Sequence, residues 1–304
     1  MALILNISDG NGLQPTIFAA LASYGGPLFN TEHGLPHPIG MLNNSWSAVE
    51  KSALDFLNKM DEMRARPRRM IARKGDAETI NIEEDVISKY ENFIYESVEF
   101  IEDADSNLRL CLLPKGQYSQ WSPVGIRGIR KHADMICNKL KHEHNRMIRV
   151  SIEHNLGRVD GYSVCAFDSD STLRPNQNIH SYSEVFSYSL DMKRIMANIY
   201  IICDSISQEI ERIGYSYYSV KRQIDFSGSK TIEVIRRVSQ LSPLVFMDEG
   251  ERQMPIFKFD EETLKIERRG GFCIHPISGS VSVTSSFTGD GTTRSYHLFG
   301  KKHG

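Results

Sequence analysis

The residue types from which phosphoryl chemistry can be built gather on one basic stretch, VGIRGIRKHADMICNKLKHEHNRMIRV, residues Val124–Val150. Arg127 and His132 stand with four residues between them, and His142 and Arg146 follow four apart. A histidine can take up or release a proton near neutral pH. A fixed guanidinium stabilises the negative charge that develops on a phosphorane. Lys141 beside His142 offers a second pairing of cation and imidazole, so two placements of this chemistry are open on the same stretch. His142 and His144, two apart, point to different helix faces and lack the spacing of a helical zinc pair. Two further readings stay beside the catalytic one. Arg130, Lys139, Lys141 and Arg146 can bind a polyanion without cutting it, or the cations can simply be exposed near a helix C-terminus, where the macrodipole favours them.

A helix must carry these groups. Ile126, Ile129, Ala133, Ile136, Cys137 and Leu140 recur at helical spacing and give the stretch one apolar stripe, ending near Asn145. From Met147 the period changes to two. The runs MIRVSIEH and GYSVCAFD read as paired strands, with the turn residues Asn155–Gly161 between them.

Upstream, Ala2–Ile7 reads as a short buried strand and Pro15 opens an apolar segment that Gly25-Gly26 closes. Gly34–Asn44 reads as a loop, and His33 just before it and His37 within it are expected to face solvent. The first strong helix is expected from Ser47, where Ser47-Ala-Val-Glu50 has the form of a capping box. Around Pro67 the densest positive run, with Arg66, Arg68 and Arg69 at its centre, suits phosphate binding or a solvated loop. A second helix, about residues 82–103, has an acidic face that can pack beside and orient the basic helix. The next long helix, about residues 190–213, is apolar enough at MANIYIICDSI to be buried on more than one side. Past Tyr215 come a helix near Lys230–Leu241 and four strand-like runs, the last two joined by a glycine turn over Thr288–Thr293.

The expected fold class is therefore α+β, an N-terminal helical bundle with an inserted β-hairpin followed by a small antiparallel β region. Its expected parts are a strand and loop segment (1–44), the bundle (45–214) and an α+β appendage (215–304). With 304 residues, 40% hydrophobic and 24% charged, the chain is of ordinary globular composition. A net charge of −2 gives no global attraction to polyanions, so any such site is a local patch. Five widely spaced cysteines in apolar surroundings read as reduced thiols in a cytoplasmic protein. No CxxC occurs, Asp168 and Asp170 do not make a calcium loop, and neither a metal nor a cofactor is expected. The start of the chain has no basic leader, and no apolar run spans a membrane.

Arg127 and His132 fit an R-x4-6-H signature, and CNKLKHEHNR resembles the closing helix of HEPN-like proteins. The resemblance covers about residues 45–215, mainly as helical layout. It implies a helical bundle that forms a homodimer with its motifs meeting in a cleft. For active members it implies a metal-independent endoribonuclease of prokaryotic stress or antiphage defence. Arg127, His132 and His142 would then be catalytic, and Arg66, Arg68, Arg69, Arg130, Lys139, Lys141 and Arg146 would hold RNA. Other members of such a family serve as non-catalytic nucleic-acid-binding or protein-interaction subunits of larger complexes. This sequence departs from the pattern at Gly128, where active members often carry a polar residue. If His142 is the matching histidine, the arginine at the required distance is missing.

Overall fold

The computed structural model describes residues 2–9, 12–65, 77–143, 145–154, 157–167, 173–180, 184–214, 229–246, 249, 254–270, 275–277, 281–286 and 293–298. Arg66, Arg68, Arg69, His144, Asp168, Asp170 and Cys273 lie outside them. The fold is α+β. Its helices are α1 (Ile17–Ser23), α2 (Pro38–Ala65), α3 (Ala77–Glu102), α4 (Leu108–Leu112), α5 (Ile126–His142), α6 (Tyr188–Gly214) and α7 (Ser229–Ser239). One π-helical turn, Asp103–Asn107, joins α3 to α4.

Helix α2 begins nine residues earlier than the capping-box pattern suggests. Pro38 supplies the fixed φ of a first helical turn. Met41, Leu42 and Trp46 then bury on the stripe that Val49, Phe56 and Met60 continue. Ser47 and Glu50 are interior helix residues, and Glu50 is buried, accepting a hydrogen bond from the Thr231 hydroxyl of α7. Burial pushes its carboxyl above the ordinary range. Long α3 packs along both α2 and α5, so the acidic helix does lie beside the basic one.

The hairpin strands are β2 (Arg146–His154) and β3 (Gly157–Phe167), paired from Arg146 opposite Cys165 to His154 opposite Gly157. Only residues 155 and 156 separate them, so Gly157–Gly161 is strand rather than turn. Gly161 is there for close approach: a Cβ would run into the Phe186 carbonyl and lie 2.5 Å from the Phe246 ring. Strands β4 (Leu173–Pro175) and β5 (Phe186–Ser187) both pair with β3.

In the C-terminal part, β6 (Leu244–Phe246) pairs in parallel with β9 (His275–Ile277). Strands β7 (Met254–Phe259) and β8 (Thr263–Gly270) are antiparallel, as are β10 (Val281–Ser286) and β11 (Thr293–Leu298). The first strand, β1 (Ala2–Asn6), pairs with β8, from Ala2 opposite Glu267 to Asn6 opposite Thr263. The first strand therefore shares a sheet with two strands of the C-terminal part. One core cluster runs from Leu13 and Phe18 through the helices to Phe257, Leu264 and Ile266. Cys111, Cys137, Cys165 and Cys203 are buried free thiols within the fold. Among the described residues no helix is long and apolar enough to cross a membrane, and no group of three potential metal ligands occurs.

Candidate nucleic-acid interface

Helix α5 is placed from both ends. At its start Gly125 takes φ +78°, a left-handed conformation that favours glycine, and turns the chain out of the preceding loop. That loop is fixed to α6, since Ser205 Oγ donates to the Val124 carbonyl (3.0 Å) and the Ser122 N–H donates to Glu209 Oε1 (3.0 Å). Asn198 Nδ2, also on α6, donates to the Ile129 carbonyl (3.2 Å). At the far end Asn145 Nδ2 donates to the Lys139 carbonyl (3.2 Å), and Asn176 Nδ2 donates to Asn145 Oδ1 (2.8 Å). Ile126, Ala133, Ile136 and Cys137 form the buried stripe.

On the outward side α5 and the π-helical turn with α4 enclose an open groove of about 710 Å³. Arg109, Arg127, Arg130, Lys131 and Lys139 line it with Asp105, Asp134 and Glu143, an excess of positive charge in a chain of net negative charge. Three of these cations are engaged. Arg130 pairs with Asp134 (2.6 Å) and reaches Asp105 (3.9 Å), Lys139 pairs with Glu143 (Nζ to Oε1, 2.7 Å), and the Arg109 guanidinium lies 5.5 Å over the Tyr118 ring. Tyr118 in turn contacts His33 Nε2 through its hydroxyl at 2.8 Å, so His33 is half-buried rather than exposed, while His37 is exposed. Arg127 and Lys131, four apart and exposed, have no hydrogen-bond or ion-pair partner among the described residues.

His132 turns the other way. Its side chain is 18% exposed, and Nε2 lies 3.1 Å from Oδ1 of Asp191 on α6. Asp191 is 1% exposed and receives two tyrosine hydroxyls as well, Tyr90 at 2.9 Å and Tyr162, with the Arg194 guanidinium against Oδ1. Burial by itself pushes this carboxyl up; Arg194, His132 and the Tyr162 hydroxyl outweigh it and hold it well below the usual carboxylate range. An ionised carboxylate only accepts hydrogen bonds, so the proton between the two groups sits on Nε2. Phe186 closes the site, edge-on to the His132 ring at 5.0 Å and stacked on His180 at 4.6 Å. The Val164 N–H donates to His180 Nε2 (2.8 Å), which leaves its proton on Nδ1.

Arg127 and His132 thus occupy different faces of α5. Five residues at about 100° each put them roughly 140° apart. His142 and Lys141 are exposed on the last turn, with the Lys141 ammonium 4.6 Å over the Tyr95 ring, and Arg146 begins β2. Of the residues singled out for nucleic acid, Arg130 and Lys139 line the groove together with Arg127, while Lys141 and Arg146 are not part of its lining. Sequence reasoning missed Arg109, Asp191, Arg194, Tyr90 and Tyr162. Asp191 and Arg194, three apart at the start of a helix whose other faces are apolar, carried a usable signal, because charges in such a helix have to be paired.

Comparison with protein-family models, with curated proteins and with solved structures returns no match to this chain.

Proposed function

We propose that the groove along α5 binds the phosphate backbone of RNA. Arg127 and Lys131 carry the proposal: two neighbouring cations, solvent-facing and without a counter-charge among the described residues, on the rim of a basic groove. Phosphates bound there displace counterions, the main source of sequence-independent affinity. The resemblance of this stretch to the closing helix of HEPN-like proteins is the reason for taking RNA as the polyanion, in a stress or antiphage setting.

The test is binding of a fluorescein-labelled single-stranded RNA across a range of NaCl concentrations, for the native chain and for Arg127→Ala with Lys131→Ala. Loss of two phosphate contacts should weaken binding and reduce the slope of log K against log salt by about 1.4. Both side chains are exposed, so thermal stability should be unchanged. Absence of binding, or an unchanged slope in the double variant, would refute the proposal.

A second reading, metal-independent cleavage of RNA that reaches the His132 face of α5 rather than the groove, is favoured by one observation, the bond from His132 to Asp191. A carboxylate that fixes the tautomer and orientation of an imidazole is the arrangement of a proton-transfer histidine. Under this reading the protein yields RNA ends bearing 2′,3′-cyclic phosphates in the presence of EDTA, and His132→Ala abolishes them. RNA left intact by the native chain removes cleavage and leaves binding standing.

A further inference from the structure

We infer that the α5 groove reads one base of its RNA, an adenine, through the side-chain amide of Asn138. The inference rests on the groove reading above and adds a base preference to it. Asn138 lines the groove, is exposed to solvent and has no hydrogen-bond partner among the described residues. An exposed asparagine is ordinary by itself. This one stands in line with the two cations that hold phosphate, where the charges of the groove wall cancel.

Arg127, Lys131, Asp134 and Asn138 follow one another at steps of four, three and four residues, which keeps them within about 60° of one another around α5. At the N-terminal end of this row Arg127 and Lys131 meet no counter-charge among the described residues. Farther along, the charges cancel: Asp134 takes the Arg130 guanidinium (2.6 Å) and Glu143 takes the Lys139 ammonium (2.7 Å). Asn138 and half-buried Met135, which also lines the groove, lie between these two pairs in the chain. The α5 wall is thus cationic at one end, which suits phosphate, and neutral at the other, which suits a base. Asn138 lies about 10 Å beyond Lys131 along the helix axis, so a nucleotide whose phosphate meets Lys131 can bring its base to Asn138 with Met135 against the ring. A thioether packs favourably on an aromatic ring. The asparagine amide sets one acceptor beside one donor. Adenine matches it with an amino group beside a ring-nitrogen acceptor, on its N6/N7 edge and again on its N6/N1 edge. The O6/N7 edge of guanine carries two acceptors and leaves the amide oxygen facing one of them. Uracil and cytosine each match the amide on one edge, but bring a smaller ring to Met135. In unpaired RNA these edges are open to a side chain.

The experiment measures binding of a fluorescein-labelled oligouridylate of about six nucleotides, and of the same RNA with one central adenine, cytosine or guanine, to the full chain and to the variants Asn138→Ala and Asn138→Leu. The native chain is expected to bind the adenine-containing RNA about 5- to 150-fold more tightly than the plain oligouridylate or the guanine-containing RNA. Both variants erase that preference and leave the affinity for oligouridylate and its salt slope unchanged, since Asn138 carries no charge. Alanine and leucine favour a helix over asparagine, so both variants keep the fold. Equal affinity for all four RNAs, or an adenine preference that survives in both variants, overturns the inference while the salt slope and the Arg127 and Lys131 variant still support the groove. Failure to bind any of the four overturns both.

Discussion

Asp191 receives donors from three other elements and from its own helix: Tyr90 of α3, His132 of α5, Tyr162 of β3 and Arg194 of α6. Its carboxyl is held below the ordinary range in the folded chain, so its contribution to stability is complete above the unfolded value near 4 and is lost as pH falls below that. Asp191→Asn is expected to cost about 3–5 kcal/mol in urea denaturation at pH 7, because it strands the Arg194 charge in the interior. The deficit relative to the native chain should shrink as the pH is lowered from 4 towards 2. Lys193 gives the opposite experiment. Burial pushes its ammonium down to about 8, and Nζ donates to the Leu241 carbonyl at 2.7 Å with no ion-pair carboxylate among the described residues. The unfolded chain keeps this proton up to about 10.4, so the stability that Lys193 withholds at neutral pH is regained as pH rises from about 8 to that value. Lys193→Met should therefore be stabilising at pH 7. Its advantage over the native chain should fall between pH 8 and pH 10 in the same denaturation assay.

At the scale of elements, α5 was legible because its pattern is local: the apolar positions repeat at helical spacing and the cations fill the other faces. The start of α2 was not, because residues 34–44 are rich in loop-forming types. Met41, Leu42 and Trp46 continue the helix because they have a core to enter. Gly161 was read as a turn residue and is instead the point where β3 meets the Phe186 carbonyl and the Phe246 ring. Gly161→Ala should push β5 and β6 away from β3 and destabilise the fold by about 1–3 kcal/mol, read as a lower urea midpoint. An alanine at exposed Gly128 of α5 meets nothing within 4 Å and should be neutral or slightly stabilising.

Across the whole molecule, the pairing of β1 with β8 and the bond from the Tyr200 hydroxyl to the Leu13 carbonyl (2.7 Å) tie the first residues to α6 and to the C-terminal part of the chain. Deleting residues 1–16 should therefore act far from the N-terminus. It uncovers the edge of β8 and leaves the buried Tyr200 hydroxyl without its acceptor. Amide hydrogen exchange is expected to rise along β8 as well as in α6 around Tyr200. A change confined to the helices next to the cut would contradict this coupling. Charge is arranged at the same scale: a chain of net charge −2 keeps a basic groove because its cations gather on α5 and α4 while many carboxylates lie along α3.

By itself the sequence determined the α+β class, the long helices, the hairpin and the basic character of α5, since each follows from a repeat of 3.6 or 2 residues or from local composition. Which way each face of α5 looks was decided only in three dimensions. Arg127 and His132 lie close in sequence, but the helical screw separates them and α6 supplies the buried carboxylate that draws His132 inward. Asp191 lies 59 residues beyond His132, and Phe167 meets Arg146 only because β2 and β3 pair in one register. Such long-range pairings depend on which apolar surfaces bury together, and no local repeat encodes that choice.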